Sequence, residues 1–168
     1  MRLRDWLETF RFLHEKARAG RLAVAEIAAY HELREEFATL LLAAQCLTVA
    51  PGQTARGALR AVRLLPLELL LPSGQVRSET LDLSAGGFST FVPVALRAGE
   101  TVGFALALSS GELRGQARVV NVSDEGSAWR ISFQLQGVAA ADAERMETEV
   151  LDTALQHFEF FATRTEGR

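Results

Sequence analysis

Five residues carry the chemistry that this sequence offers. Arg56 and Arg60 stand four apart in a polar, glycine-containing run, Arg56-Gly57-Ala58-Leu59-Arg60. Some twenty residues on, Leu81-Asp82-Leu83-Ser84-Ala85-Gly86-Gly87-Phe88 reads as a strand running into a glycine turn. The two-residue period of a strand sets Asp82 and Ser84 on one face, with Leu81 and Leu83 on the other. Gly86 and Gly87 are expected to allow positive φ at the turn and a close approach of backbone to a ligand. Taken alone, each group has a plainer account. In an arginine-rich chain, Arg56 and Arg60 are solvated surface residues, and Asp82 with Ser84 simply opens a turn by bonding local backbone.

The combination of the two groups says more. Arg56-x-x-x-Arg60 followed by Asp82-x-Ser84-x-x-Gly87 resembles the two motifs of the PilZ family, R-x-x-x-R and [D/N]-x-S-x-x-G, with no motif position missing. The resemblance implies a six-stranded antiparallel β-barrel with a C-terminal helix, in a bacterial protein of second-messenger signalling such as motility or biofilm regulation. It also implies cyclic di-GMP as ligand, with Arg56, Arg60, Asp82, Ser84 and Gly87 as its binding residues. The chemistry suits that ligand. The arginine fork donates paired hydrogen bonds to phosphate oxygens and to the O6 and N7 edge of guanine, and its flat face stacks on a purine. Asp82 offers a carboxylate to the guanine N1 and N2 donors, and Ser84 a hydroxyl to phosphate or ribose. In the family, an extra arginine just before the first motif goes with a stacked pair of ligands. Ala55 stands there, so one ligand per chain is expected.

These residues need a scaffold. The chain has 168 residues, 48% hydrophobic and 23% charged, a globular composition with room for one ordinary domain and an accessory element. Apolar residues at three- and four-residue steps predict a helix over 3–19 (Leu3, Trp6, Leu7, Phe10, Leu13, Ala17), stopped at Gly20. The same spacing predicts a second helix over 23–47, with the stripe Ile27, Tyr30, Leu33, Phe37, Leu40, Leu41 and Ala44. The short link makes the pair a helical hairpin, too small to stand alone. Val49-Ala50-Pro51-Gly52 breaks the second helix, which divides the chain into a hairpin over 1–50 and a barrel domain over 51–168.

Six strands are expected, over 61–71, 75–83, 87–92, 101–108, 112–122 and 128–135. Turn residues such as Pro72-Ser73-Gly74, Ser109-Ser110-Gly111 and Asp124-Glu125-Gly126 separate them, as in an antiparallel barrel or sandwich. Pro66 marks an edge or a bulge in the first strand. Arg63 lies near the arginine segment, although alternation could point it elsewhere. Helical spacing returns after Gly137 in Met146, Val150, Ala154, Leu155, Phe158, Phe161 and Ala162. Trp129-Arg130-Ile131-Ser132-Phe133 departs from the family's frequent glycine before the aromatic.

Other functions find little support. A net charge of -3 and a pI near 5.7 argue against nonspecific duplex DNA binding, which needs a basic surface. The single cysteine, Cys46, excludes an intrachain disulfide and a cysteine-rich zinc site. No apolar run approaches a membrane span of about 18 residues, and no signal peptide is visible, so a soluble, cytoplasmic protein without membrane insertion is expected. His14, His31 and His157 fall on expected helices outside any metal-ligand spacing, and no nucleophile elbow or phosphate loop is present, so neither a metal nor an enzymatic activity is expected. The aromatic-rich helices are candidate output elements, packing on the barrel, forming a homodimer or meeting a protein partner. The competing function is a PilZ-like interaction module that ignores nucleotide.

Overall fold

A computed structural model describes residues 3–47 and 59–165. Contacts divide the chain into two units, residues 1–59 and 60–168.

The first unit is a pair of helices, α1 (Leu3–Arg18) and α2 (Val24–Leu47). Gly20, at φ 64°, ends α1, its N–H bonded to the Ala17 carbonyl and that of Arg21 to Lys16. Glu26 starts α2 by accepting the Ala23 N–H at 2.9 Å, as a third-position glutamate does in a capping box. The same carboxylate binds the Lys16 ammonium, which closes the hairpin turn. Between the helices lies an aromatic ladder. Phe10 is fully buried, stacked on Trp6 at 5.8 Å and on His14 at 5.4 Å, with Phe37 at 5.0 Å from α2. The buried His14 and Tyr30 share a hydrogen bond of 2.9 Å, and Trp6 donates to Glu36 at 2.9 Å.

From Trp6 to Ala17 the α1 stripe is as the spacing predicts, and the α2 stripe is not. Among the described residues of α2, Tyr30, Arg34 and Phe37 are buried, whereas Ile27 and Leu40 are exposed. Apolar side chains occur all round α2, so spacing alone did not single out the inward face.

The second unit is the barrel. Its strands are β1 (Arg60–Val62), β2 (Pro66–Leu71), β3 (Gly74–Ser84), β4 (Gly87–Val92), β5 (Thr101–Leu108), β6 (Gly111–Asp124) and β7 (Trp129–Gln136). Every pairing is antiparallel. The order β3-β2-β5-β6-β7-β4 closes through a β3–β4 ladder, so six strands form the barrel. The three-residue β1 pairs with the far end of β3, opposite Leu83. β1 and β2 thus replace the single first strand expected over 61–71. Both run along one edge of β3, and the break between them is held by Thr80. Its hydroxyl donates to the Arg63 carbonyl at 2.5 Å and accepts the Leu65 N–H at 3.0 Å. Pro66, which has no N–H to offer a ladder, opens β2 directly after the break.

The interior is apolar. Leu69, Leu83, Leu106 and Ile131 are fully buried, and Phe88 sits between Phe104 at 5.4 Å and Phe133 at 5.2 Å. Helix α3 (Ala140–Thr165) buries Met146, Val150 and Leu151 and packs on β1, β3 and β5. Polar straps hold it. Glu149 accepts the Ser109 N–H at 2.9 Å, and Arg145 donates to the Gly111 carbonyl at 2.8 Å.

Candidate ligand-binding site

The local shape of β3 decides where Asp82 points. Thr80 and Leu83 are both fully buried, which strict alternation forbids for positions three apart. A bulge between Thr80 and Asp82 in the pairing with β4 inserts the extra residue and reverses the phase. Upstream of it, even positions face inward. Downstream, Leu83 faces inward, and Asp82 and Ser84 share the outer wall. The expected split of Asp82 and Ser84 from Leu83 is met, and Leu81 is left half-buried at the bulge.

Register brings the remaining groups alongside. Arg60 on β1 stands opposite Ser84, and Asp82 stands opposite Ser89 on β4. Arg60 donates from Nη1 to Asp82 Oδ1 at 3.0 Å. Ser89 donates to Oδ2 at 2.6 Å. Arg130, two strands away on β7, reaches across β4 and donates from Nη2 to the same oxygen at 3.2 Å. One carboxylate, 13% exposed, therefore organises two guanidinium groups that are 34% and 48% exposed. Two guanidinium groups thus converge on one carboxylate. Pairs this exposed each contribute only about 0–1 kcal/mol, so they can be exchanged for another partner at little cost.

The remaining predicted residues lie at the hairpin turn. Ser84 is buried, and its hydroxyl makes a long bond of 3.4 Å to the Gly87 carbonyl. The glycines behave differently from expectation. Neither Gly86 nor Gly87 is among the residues with positive φ. Gly87 is required by packing instead: a Cβ there would lie 2.1 Å from the Phe133 carbonyl oxygen of β7. Of the two, Gly86 faces open space, and its carbonyl accepts the Leu135 N–H at 2.9 Å. Arg56 lies outside the described residues. Arg63 points away from this wall to α3, pairing with Glu149 at 3.3 Å and Gln156 at 3.2 Å.

Ser89 and Arg130 were not singled out in the sequence. Alternation in Trp129–Phe133 does place Arg130 outward, but its meeting with Asp82 depends on the β4–β7 register, which no local pattern reveals. Among the described residues, no group of three or more His, Cys, Asp or Glu side chains is placed to hold a metal ion. His14 is a core residue, and His31 and His157 are exposed on helices.

The closed six-stranded barrel is the fold the two motifs led us to expect, and it carries Arg60, Asp82 and Ser84 on one wall. The family model for the PilZ domain matches residues 55–152. The chain belongs to the PilZ family. Solved structures agree with it in fold. The Bacillus subtilis inhibitor of motility, MotI/DgrA, superposes with a TM-score of 0.56 at 16% identity, over 62% of this chain and 53% of that one. The PilZ domain of Escherichia coli YcgR, determined with c-di-GMP, gives 0.54 at 16% identity, over 65% of this chain and 98% of the domain. The K. pneumonia MrkH–c-di-GMP complex gives 0.54 at 22% identity, over 64% of this chain and 56% of MrkH. The matched region thus spans little more than half of MotI/DgrA and MrkH. No curated protein matches the chain in sequence.

Proposed function

We propose that this PilZ chain is a cyclic di-GMP receptor that acts as a non-catalytic adaptor. The observation that carries the reading is the Asp82 carboxylate holding Arg60 on the outer barrel wall, beside Ser84. Asp82 would accept the N1 and N2 donors of a guanine. Arg60 and Arg56 would grip its Hoogsteen edge or a phosphate, and Ser84 a phosphate or ribose oxygen. Gly87 serves the site by keeping β4 against β7. Relatives of the same fold, the YcgR domain and MrkH, were solved with c-di-GMP, which supports the ligand class.

The residues that join helices to barrel include Arg56. Engagement of Arg56 together with Arg60 by one ligand would couple binding to a reorientation of the N-terminal helices and alter a surface for a protein partner or a second copy. Hydrogen exchange across residues 50–62 checks this: ligand should slow it, and unchanged exchange at saturation refutes the coupling. A second messenger is read inside the cell, so the proposal carries a cytoplasmic setting. Among the described residues, no helix is long and apolar enough to cross a membrane.

Calorimetric titration with cyclic di-GMP tests the reading. Wild type should bind one ligand per chain. Arg60→Ala should lose about 1.5–3 kcal/mol of binding, as expected for a charged hydrogen-bond donor. A module that ignores nucleotide would show no saturable heat, and two ligands per chain would refute the stoichiometry.

A further inference from the structure

The occupancy of the Asp82 carboxylate leads beyond the two motifs. A carboxylate has about four acceptor sites, two on each oxygen. Oδ2 already takes two donors, from Ser89 and Arg130, while Oδ1 takes the bond from Arg60. A guanine reads such a carboxylate with N1–H on one oxygen and N2–H on the other. Oδ2 must therefore release a donor before the base can seat.

The two candidates differ. Ser89 is fully buried and its bond is short, 2.6 Å. Arg130 is 48% exposed and its bond is longer, 3.2 Å. Arg130 is the group free to leave. Once released it stays tethered to β7 over the same wall, within a Debye length of about 8 Å of an incoming ligand that carries two phosphates. A guanidinium there has no reason to face bulk water when a phosphate offers two acceptor oxygens.

We propose that Arg130 is a third ligand-binding arginine, exchanging its bond to Asp82 for one to a phosphate of the bound cyclic dinucleotide. The inference rests on the receptor reading above and adds a residue from β7 that lies outside both motifs. In the free protein, Arg130 neutralises Asp82 and holds its place. In the complex, it covers the ligand from the β7 edge of the site, with Arg60 on the β1 edge.

Calorimetric titration with cyclic di-GMP at low and high salt tests it on wild type, Arg130→Ala and Arg130→Lys, with Arg60→Ala for comparison. Arg130→Ala should bind tenfold more weakly or worse, and its affinity should fall less steeply with salt. Arg130→Lys keeps the charge without the fork, and should recover part of the loss. All three variants should melt close to wild type, because the side chains lie on the outer wall and are part-exposed. Binding by Arg130→Ala as tight as wild type, or tighter, would overturn the proposal, since the arginine would then be a bystander or only a competitor for Asp82. A wild-type protein that fails to bind would instead remove the receptor reading, and this inference with it.

Discussion

Two carboxylates, Asp82 and Glu149, are each held by an arginine from the same short stretch, Arg60 and Arg63 respectively. Their surroundings differ. Glu149 is 3% exposed and is saturated by the Ser109 N–H, the Ser109 hydroxyl and Arg63. It joins α3 to the β5–β6 turn. Asp82 sits on the outer wall, with guanidinium partners that are a third to a half exposed. Burial makes the first cluster a fastener, because an unpaired charge there has nowhere to go. Exposure makes the second exchangeable, because water or a ligand can replace either arginine. Ion pairs alike in composition thus differ by access, and on the proposed receptor reading that difference separates a structural role from a binding role.

The largest expected effect comes from breaking the buried cluster. Glu149→Ala strands the Ser109 N–H and takes from Arg63 its ion-pair partner, and should cost about 3 kcal/mol of stability in chemical denaturation while leaving ligand affinity near wild type. The exposed cluster should invert that pattern. Arg60→Ala should lose binding by the amount given above and change stability by less than about 1 kcal/mol. Arg63→Ala sharpens the comparison, since it sits only three residues away. It should lower stability by about 1–3 kcal/mol, because the buried Glu149 keeps its Ser109 donors but loses its cation, and leave binding intact. If Arg63→Ala weakened binding as much as Arg60→Ala, the division by access would fail.

The smallest effect lies in the helical hairpin. The hydrogen bond from Lys16, and then that from the Ala23 N–H, hold the Glu26 carboxyl below its ordinary range. A carboxyl depressed in the folded state stabilises above its unfolded value, and the gain is lost as pH falls through the folded one. Acid titration of the helices by circular dichroism should therefore show Glu26→Gln converging with wild type at low pH and falling below it at neutral pH.

Strand boundaries were largely legible in the sequence, because Pro-Ser-Gly, Ser-Ser-Gly and Asp-Glu-Gly turns punctuate regular alternation. What was hidden depended on contacts between distant strands. The break at Arg63–Leu65 is made by a threonine on β3, and the bulge that turns Asp82 outward belongs to the β3–β4 pairing. Arg60, Asp82 and Ser84 were legible through their motif spacing. Ser89 and Arg130 were not, because a residue's cross-barrel neighbours follow from register. Gly87 was identified with a different reason attached: its role is contact with the β7 backbone, and φ at the turn is unremarkable. In α2, an apolar sequence on every side concealed that Arg34 would be buried and Leu40 exposed.

Amide chemical-shift mapping during a cyclic di-GMP titration tests the central claim most directly. The account predicts saturable shifts concentrated at Arg60, Asp82, Ser84, Ser89 and Arg130, with Ser109, Arg63 and Glu149 undisturbed. Shifts centred on the α3 straps, or none at saturating ligand, would contradict it.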